Sequence, residues 1–273
     1  PEPYFSKYYP DNVDMPDIPE GHLDELPESA NRLRQMFGLD GNWTNDEIAR
    51  ARAAYYGLCT YLDDKIGHLM EVLEEQGLAE NTVIVHTSDH GDMLGEHGLW
   101  RKMCFYEQSA NVPLQISWPG KFEGGQRIGE AVSNVDAVAT ILDLAGIELD
   151  QYDLDGQSLA LALEGDTSTL NDVAISEHFA HGTDRALGMV RSGDWKLCYG
   201  HGDPVEIELY NLKSDPKEFI NLAGNPEHAE VQARLLQILL DQWGDPDEMT
   251  AKIIRDQEDR EIVRNVTGVG TIF

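Results

Sequence analysis

Helical and strand patterns alternate between residues 45 and 146, and this alternation limits the fold more than any other feature. Apolar residues recur at three- and four-residue steps from Ile48 to Leu73, which predicts a long amphipathic helix. A β-branched run from Thr82 to Val85 then predicts a short buried strand. The apolar run VPLQISWPG and a helical pattern over Val135–Leu144 follow. Strand, helix, strand and helix predict a parallel α/β layer, with the long helix packed against the sheet.

The segment before that helix shows no periodicity. Its first forty residues are rich in Pro, Asp and Glu, which predicts an extended segment lying over a larger body. Thr44 or Asn45 is the expected N-cap of the long helix, and Gly77 is its expected end.

Beyond about residue 172 the pattern changes to short apolar runs separated by turn residues. The runs VAISEH, LGMVRSG, DWKLCYG and IELYNL predict a small antiparallel sheet, and Glu227–Trp243 predicts a helix packed on it. We therefore divide the chain into an α/β part at 1–170, a small antiparallel subdomain at 171–250 and a charged, then Gly-rich, arm at 251–273.

Composition excludes several classes of function. The 273 residues carry a formal net charge of −30, which repels nucleic acid and anionic membranes, so neither is an expected partner. No run approaches the roughly 18 apolar residues of a membrane span. The N-terminus PEPYFSKYYP lacks the features of a signal peptide, although an export signal could precede it. A cytoplasmic or periplasmic location is expected. Three widely spaced cysteines indicate reduced thiols rather than a disulfide framework.

Potential metal ligands follow the first predicted strand, in the stretch HTSDHGDMLGEHGLWRKM. In open α/β sheets, ligands bind where strands end, so Asp89 and His90 are candidate metal ligands. Two ligands do not complete a site, because catalytic zinc takes about three from protein and hard cations take about six oxygens. A His ligand favours Mn²⁺ or Zn²⁺, whereas oxygen ligands favour Ca²⁺ or Mg²⁺. The alternative is an ordinary surface loop in which Asp89 forms a turn.

Lys102 lies a dozen residues after this pair and is flanked by Trp100 and Met103. Its ammonium could hold a tetrahedral oxyanion as a point charge, or it could be an ordinary surface lysine. His97 and Asp92 could support the metal ligands or form hydrogen bonds within the loop.

The stretch TSDHGDMLGEHGLWRKMCFYEQSANVPL resembles the second signature region of the sulfatase family, in the alkaline phosphatase superfamily. Its DH variant is most similar to the choline-sulfatase and phosphonate-monoester-hydrolase branch. The likeness extends over roughly residues 45 to 245. It implies an alkaline-phosphatase-like α/β fold, here partial, followed by a small antiparallel subdomain with a helix.

The resemblance also implies roles for individual residues. Asp89 and His90 match metal ligands of the family, and Lys102 matches the lysine that contacts the sulfate group. The implied cofactors are one divalent metal, Ca²⁺ or Mn²⁺, and a formylglycine nucleophile made from Cys or Ser in a C/S-x-P-x-R motif. None of Cys59, Cys104 and Cys198 stands in that motif, so the nucleophile and the other metal ligands are expected outside this chain.

Substrate and partners are less constrained by the resemblance. Glu177 matches a carboxylate that faces the cationic end of a substrate, and His97 is a second candidate contact. The expected activity is hydrolysis of a small sulfate ester, such as choline sulfate or an aryl sulfate. The missing N-terminal half of a sulfatase and a second copy, bound through the arm, are expected partners. Alternatives are a phosphonate or phosphate ester hydrolase and a non-catalytic fragment that serves as an interaction protein.

Overall fold

The computed structural model describes residues 1–36, 38–180 and 183–267. The helices are α1 (Glu28–Met36), α2 (Asn45–Glu75), α3 (Glu107–Ala110), α4 (Asn134–Leu144), α5 (Ala160–Leu163), α6 (Ala229–Trp243) and α7 (Pro246–Thr267). The strands are β1 (Ile84–Thr87), β2 (Leu114–Ser117), β3 (Val173–His178), β4 (Leu187–Ser192), β5 (Trp195–Gly200) and β6 (Glu206–Asn211). Short 3-10 turns lie at His22–Asp24, Ala79–Asn81, Glu96–Gly98, Leu149–Gln151 and Pro226–His228.

The pairing of β1 with β2 corrects one expectation. The two strands are antiparallel, with Thr87 opposite Leu114, so the parallel layer predicted for them is wrong. Parallel neighbours need a crossover connection, usually a helix, that returns to the opposite edge of the sheet. The connection over residues 88–113 instead contains only a 3-10 turn and the four-residue α3, and it starts and ends at the same edge.

Helix α2 forms as predicted, but its surroundings differ from the prediction. Thr44 is the N-cap and forms a capping box with Glu47, which satisfies backbone donors at the helix start. The apolar face expected to pack on a sheet is largely exposed, with Leu58 at 55% and Leu62 at 54%. The side that is covered includes Gly57, where an added Cβ would lie 3.0 Å from the carbonyl oxygen of Tyr4.

Helix α1 lies in the segment predicted to be extended, so that expectation is wrong for residues 28–36. Two of its contacts are distant in sequence. Ala30 is buried in the cluster that contains Tyr106, and the Ser29 N–H donates to the Glu206 carboxylate at 3.1 Å. A carboxylate at a helix N-terminus satisfies free donors there, and here it comes from β6, so local sequence does not reveal it.

The C-terminal subdomain matches the prediction of an antiparallel sheet with one packed helix. Its strands run in the order β3-β4-β5-β6, each antiparallel to its neighbour. Helix α6 covers one face and closes a core of fully or nearly fully buried residues. This core comprises Ala186, Val190, Leu197, Leu209, Leu235, Leu239, Trp243 and Ile253.

The predicted arm begins as a helix earlier than expected, at Pro246, and residues 268–273 lie outside the described residues. Ile253 anchors α7 in the subdomain core, and the Gln257 amide donates to the carbonyl of Thr183. None of the helices in the described ranges is long and apolar enough to cross a membrane.

Candidate active site

The candidate site lies at the edge of the two-stranded sheet where β1 ends and β2 begins. The loop between them is backbone-strained: Leu94, His97, Arg101 and Met103 are four of the six non-glycine residues with positive φ in the described chain. Each such residue costs about 1–3 kcal/mol, and such strain clusters at functional sites. Loop hydrogen bonds hold the strain in place, including Met93 N–H to the Arg101 carbonyl at 2.6 Å.

Three predicted side chains converge on this edge. The Lys102 ammonium donates to His90 Nε2 at 2.5 Å, and His90 Nε2 lies 3.4 Å from Asp89 Oδ2. Because the Gly91 carbonyl 2.8 Å from His90 Nδ1 can only accept, Nδ1 carries the proton and Nε2 presents its lone pair. This places a carboxylate oxygen, an imidazole lone pair and an ammonium within one small volume.

The cluster faces outward. The Asp89 side chain is 85% exposed and the His90 side chain is 36% exposed. Within residues 1–36, 38–180 and 183–267, no group of three or more His, Cys, Asp or Glu side chains is arranged to hold a metal ion. Within those residues, Asp89 and His90 therefore form a solvent-facing pair of candidate ligands, with the Lys102 ammonium beside them.

Sequence comparison identifies the family. Residues 3–147 match the Sulfatase family model. Residues 95–245 match the C-terminal region of N-sulphoglucosamine sulphohydrolase. The chain belongs to the sulfatase family. This confirms the family resemblance and, with it, the alkaline-phosphatase-like α/β fold.

Individual sulfatase relatives cover most of the chain. A choline-sulfatase of Rhizobium meliloti is 40% identical over 81% of this chain and 42% of its own length. An arylsulfatase of Clostridium perfringens is 33% identical over 88% of this chain and 49% of its own length. A phosphonate monoester hydrolase structure from Silicibacter pomeroyi superposes with a TM-score of 0.74 at 30% identity, covering 89% of this chain and 52% of that one. The chain thus spans about half the length of the relatives it matches.

Sulfatases generally use a metal ion and a formylglycine. The residues of this chain fit the metal but not the formylglycine. His90 donates its Nδ1 proton to a backbone carbonyl, an arrangement typical of metal-binding histidines whose Nε2 is the ligand. Asp89 offers an exposed carboxylate beside it, so both fit one side of a metal. The cysteines do not fit the formylglycine, because none of the three stands in a C-x-P-x-R motif.

Two residues that the sequence analysis missed bind the loop between β1 and β2 through hydrogen bonds. Arg52 on α2 is buried and donates to the Leu94 carbonyl at 2.8 Å and to Asp14 at 2.6 Å, joining the N-terminal segment to the loop. Asn134 on α4 donates to the Ser88 carbonyl at 2.8 Å. Arg52 interrupts the small-residue stretch ARAA on α2, which was the available signal.

His97 requires a correction. The structure buries it completely, stacked on Tyr106 at a ring distance of 4.0 Å and hydrogen-bonded to His22 at 2.8 Å. Its positive φ of 53° places it in the left-handed region, within the tight turn at Glu96–Gly98. The proposed substrate contact by His97 is therefore wrong, because a fully buried ring cannot reach a ligand at the loop surface.

Glu177 lies apart from the Asp89–His90–Lys102 cluster, on β3 of the subdomain. It is exposed, and its carboxylate accepts a hydrogen bond from the Trp243 indole at 2.6 Å. Phe179 packs edge-on to the same indole, with ring centroids 5.9 Å apart. Glu177 is thus an accessible anion beside aromatic rings, and its contact with substrate stays a prediction.

Proposed function

We propose that Asp89, His90 and Lys102 form one side of the active site of a sulfate-ester hydrolase that is completed by polypeptide outside this chain. The observation that carries the proposal is the convergence of the three side chains, with Lys102 Nζ 2.5 Å from His90 Nε2. Asp89 and His90 would hold a divalent metal, Ca²⁺ or Mn²⁺, through a carboxylate oxygen and Nε2. When bound, the metal supplies Lewis-acid polarisation of the ester.

Lys102 has a separate role in this proposal. Its ammonium is already directed at the ligand pair, where it can donate a hydrogen bond to a sulfate oxygen. Charge that develops on the leaving oxygen is stabilised by such a fixed positive group, and the stabilisation is greater when water is excluded. We expect a covering segment to approach from the side on which Asp89 is exposed.

The test is made in the full-length protein with Asp89→Ala and, as a matched control, Asp63→Ala on the exposed surface of α2. We expect Asp89→Ala to lose bound metal, measured by elemental analysis and titration calorimetry, and to lose turnover of an aryl sulfate. The control should keep both. Equal metal content in the two variants would show that Asp89 is not a ligand.

A phosphonate or phosphate ester hydrolase is the second candidate. It is favoured by the superposition on the Silicibacter pomeroyi phosphonate monoester hydrolase. Sulfate and phosphonate esters are both tetrahedral oxyanions, so the same ammonium and metal suit either. Assays of matched aryl sulfate and aryl phosphonate esters, with Mn²⁺ or Ca²⁺ added, separate the two. Failure on both, in protein of full length, would favour a non-catalytic interaction protein.

The preferred substrate carries a quaternary ammonium, as in choline sulfate. Glu177 supports this, because its exposed carboxylate suits a cation of that kind. The 40% identity to a choline-sulfatase gives further support.

The proposed partners follow from uncovered apolar surface. Val138 on α4 is 54% exposed, and Leu58, Leu62 and Leu69 form an exposed stripe along α2. Patches of this kind mark interaction sites. We assign this surface to the remaining part of the sulfatase domain, which makes up about half of each relative's length. Co-expression with that upstream polypeptide should give a stable complex, and its failure to bind would contradict the assignment.

The arm is assigned to a second copy of the chain. Ile262 and Val266 are exposed on the last turns of α7, where an apolar face would gain by burial. Light scattering of the full-length protein and of an Ile262→Ser variant tests this. The Ile262→Ser variant should have a lower molar mass than the full-length wild-type protein. Location in the cytoplasm or periplasm stays a prediction, to be settled by fractionation of the native cell.

A further inference from the structure

A buried ion cluster joins the subdomain to the candidate site. Lys196 on β5 is fully buried, with its Nζ 2.7 Å from Glu218 Oε1 and 2.8 Å from Glu107 Oε1. The Glu107 backbone N–H donates to Glu218 Oε2 at 2.7 Å. Glu107 is the first residue of α3, so one ammonium and one buried carboxylate fix the start of that helix to the subdomain.

Stability alone does not explain this cluster. Removing a lysine and a glutamate from water costs several kcal/mol each, and an apolar replacement of similar volume is often as stable. Burial lowers the pKa of Lys196, but the charges of Glu218 and Glu107 outweigh this and raise it, so the ammonium stays protonated. In some proteins, buried ionic groups instead fix the register between the elements they join.

The register of α3 determines the position of the residue after His90. The Gly91 N–H donates to the Ser109 carbonyl at 2.8 Å, and a Cβ on Gly91 would lie 2.0 Å from the Gln108 carbonyl oxygen. The backbone at Gly91 is therefore pressed directly against α3. The Gly91 carbonyl in turn receives the Nδ1 proton of His90, which orients the imidazole.

We propose that Lys196 is a positioning residue, which sets the orientation of His90 through Glu107, α3 and Gly91. The inference rests on the proposed metal role of His90. It assigns to the subdomain a part in the active site, although Lys196 itself touches neither metal nor substrate. The subdomain is then needed for metal affinity as well as for folding.

The experiment compares Lys196→Met with Leu235→Ala, which creates a cavity in the subdomain core remote from the cluster, both in the full-length protein. Metal affinity is measured by titration with Mn²⁺, and amide hydrogen exchange is measured for peptides covering residues 88–103 in metal-free protein. We expect Lys196→Met to weaken metal binding by about 10- to 100-fold, as groups that orient metal ligands do. Amide exchange of the 88–103 peptides should also become faster in Lys196→Met. Leu235→Ala should change neither the Mn²⁺ affinity nor this exchange, even where its melting temperature falls as much as that of Lys196→Met.

A second variant guards against simple unfolding. Lys196→Met/Glu218→Gln removes both fully buried charges and keeps an acceptor for the Glu107 N–H, so it should recover stability. Metal binding that remains weak in this folded variant supports the proposal. Wild-type affinity and exchange in it would overturn the proposal and leave the cluster a structural ion pair. If Asp89→Ala also retains metal, the proposed function has failed; if only the Lys196 variants behave as wild type, this inference alone has failed.

Discussion

The C-terminal subdomain and the region around β1 and β2 use apolar residues in opposite ways. In the subdomain, Val190, Leu197 and Leu239 are completely buried between the sheet and α6. Around the two-stranded sheet, many large apolar residues of α2 and α4 are exposed, and neither β1 nor β2 contributes a fully buried residue. A two-stranded sheet is marginal in water without a further layer.

The loop that carries the candidate ligands takes part of its packing from the subdomain. The candidate metal ligands lie in the region around β1 and β2, where many apolar residues are exposed. Tyr106, from the connection between those strands, packs with Tyr210 of the subdomain in one cluster. A region with little buried apolar surface can therefore still hold three side chains together at one edge. Its stability and its chemistry should respond to different substitutions.

The largest effect is expected in the subdomain core. Leu239→Ala should lower the free energy of unfolding by about 2–5 kcal/mol, because it leaves a cavity in a closed core. Leu62→Ala on α2 should change it by no more than about 0.5 kcal/mol in the isolated chain, since the side chain is already exposed. Urea unfolding of the two variants measures both. In full-length protein the Leu62→Ala cost should grow, and a cost that stays near zero would mean that α2 is never covered.

Chemistry should show the reverse pattern. Lys102→Ala is expected to lower kcat about 10²- to 10³-fold, as the loss of one fixed electrostatic donor does. Its unfolding free energy should stay close to that of wild type, because the loop is held by Arg52 and by backbone hydrogen bonds rather than by the ammonium. Steady-state kinetics of the full-length protein checks this, with Lys65→Ala on α2 as the control. An unaffected kcat would leave Lys102 a surface residue.

The sequence predicted what depends on local pattern and on the family motif. The short apolar runs of the subdomain form strands, and Thr44, one of the two expected N-caps, caps α2. Asp89, His90 and Lys102 lie close together. It missed features whose partners are distant in sequence. The N-terminus of α1 is satisfied by Glu206, and Arg52 is buried because Asp14 and Leu94 meet it from other segments. His97 was misjudged because a polar ring near a motif looks functional, whereas its burial follows from Tyr106 and His22.

Lowering the pH should decrease the free energy of unfolding through His97, which is buried against Tyr106. Burial, with a contribution from neighbouring His22, lowers the pKa of His97 from 6.5 to about 3. Between pH 6.5 and about 3, His97 is therefore protonated in the unfolded chain but neutral in the folded protein. The stabilisation is fully present above pH 6.5 and is lost as the pH falls towards 3, by up to about 1.4 kcal/mol per pH unit.

Chemical denaturation of wild type and of His97→Phe, at several pH values between 7 and 4, measures this loss. His97→Phe keeps a ring against Tyr106 but has no titrating group. Its unfolding free energy should decrease less on acidification than that of wild type. Parallel pH dependence in the two proteins would exclude His97 as the cause.

The smallest effect tests whether the subdomain reaches the substrate. Glu177→Gln removes the charge and keeps an oxygen for the Trp243 indole, so the local structure should remain. For choline sulfate we expect KM to rise about twofold to fivefold, the range of an exposed ion pair, with an uncharged aryl sulfate unaffected. Glu230→Gln on the exposed surface of α6 controls for the loss of one negative charge. A rise in KM for both substrates, or in both variants, would remove Glu177 from the site and return substrate choice to the region around β1 and β2.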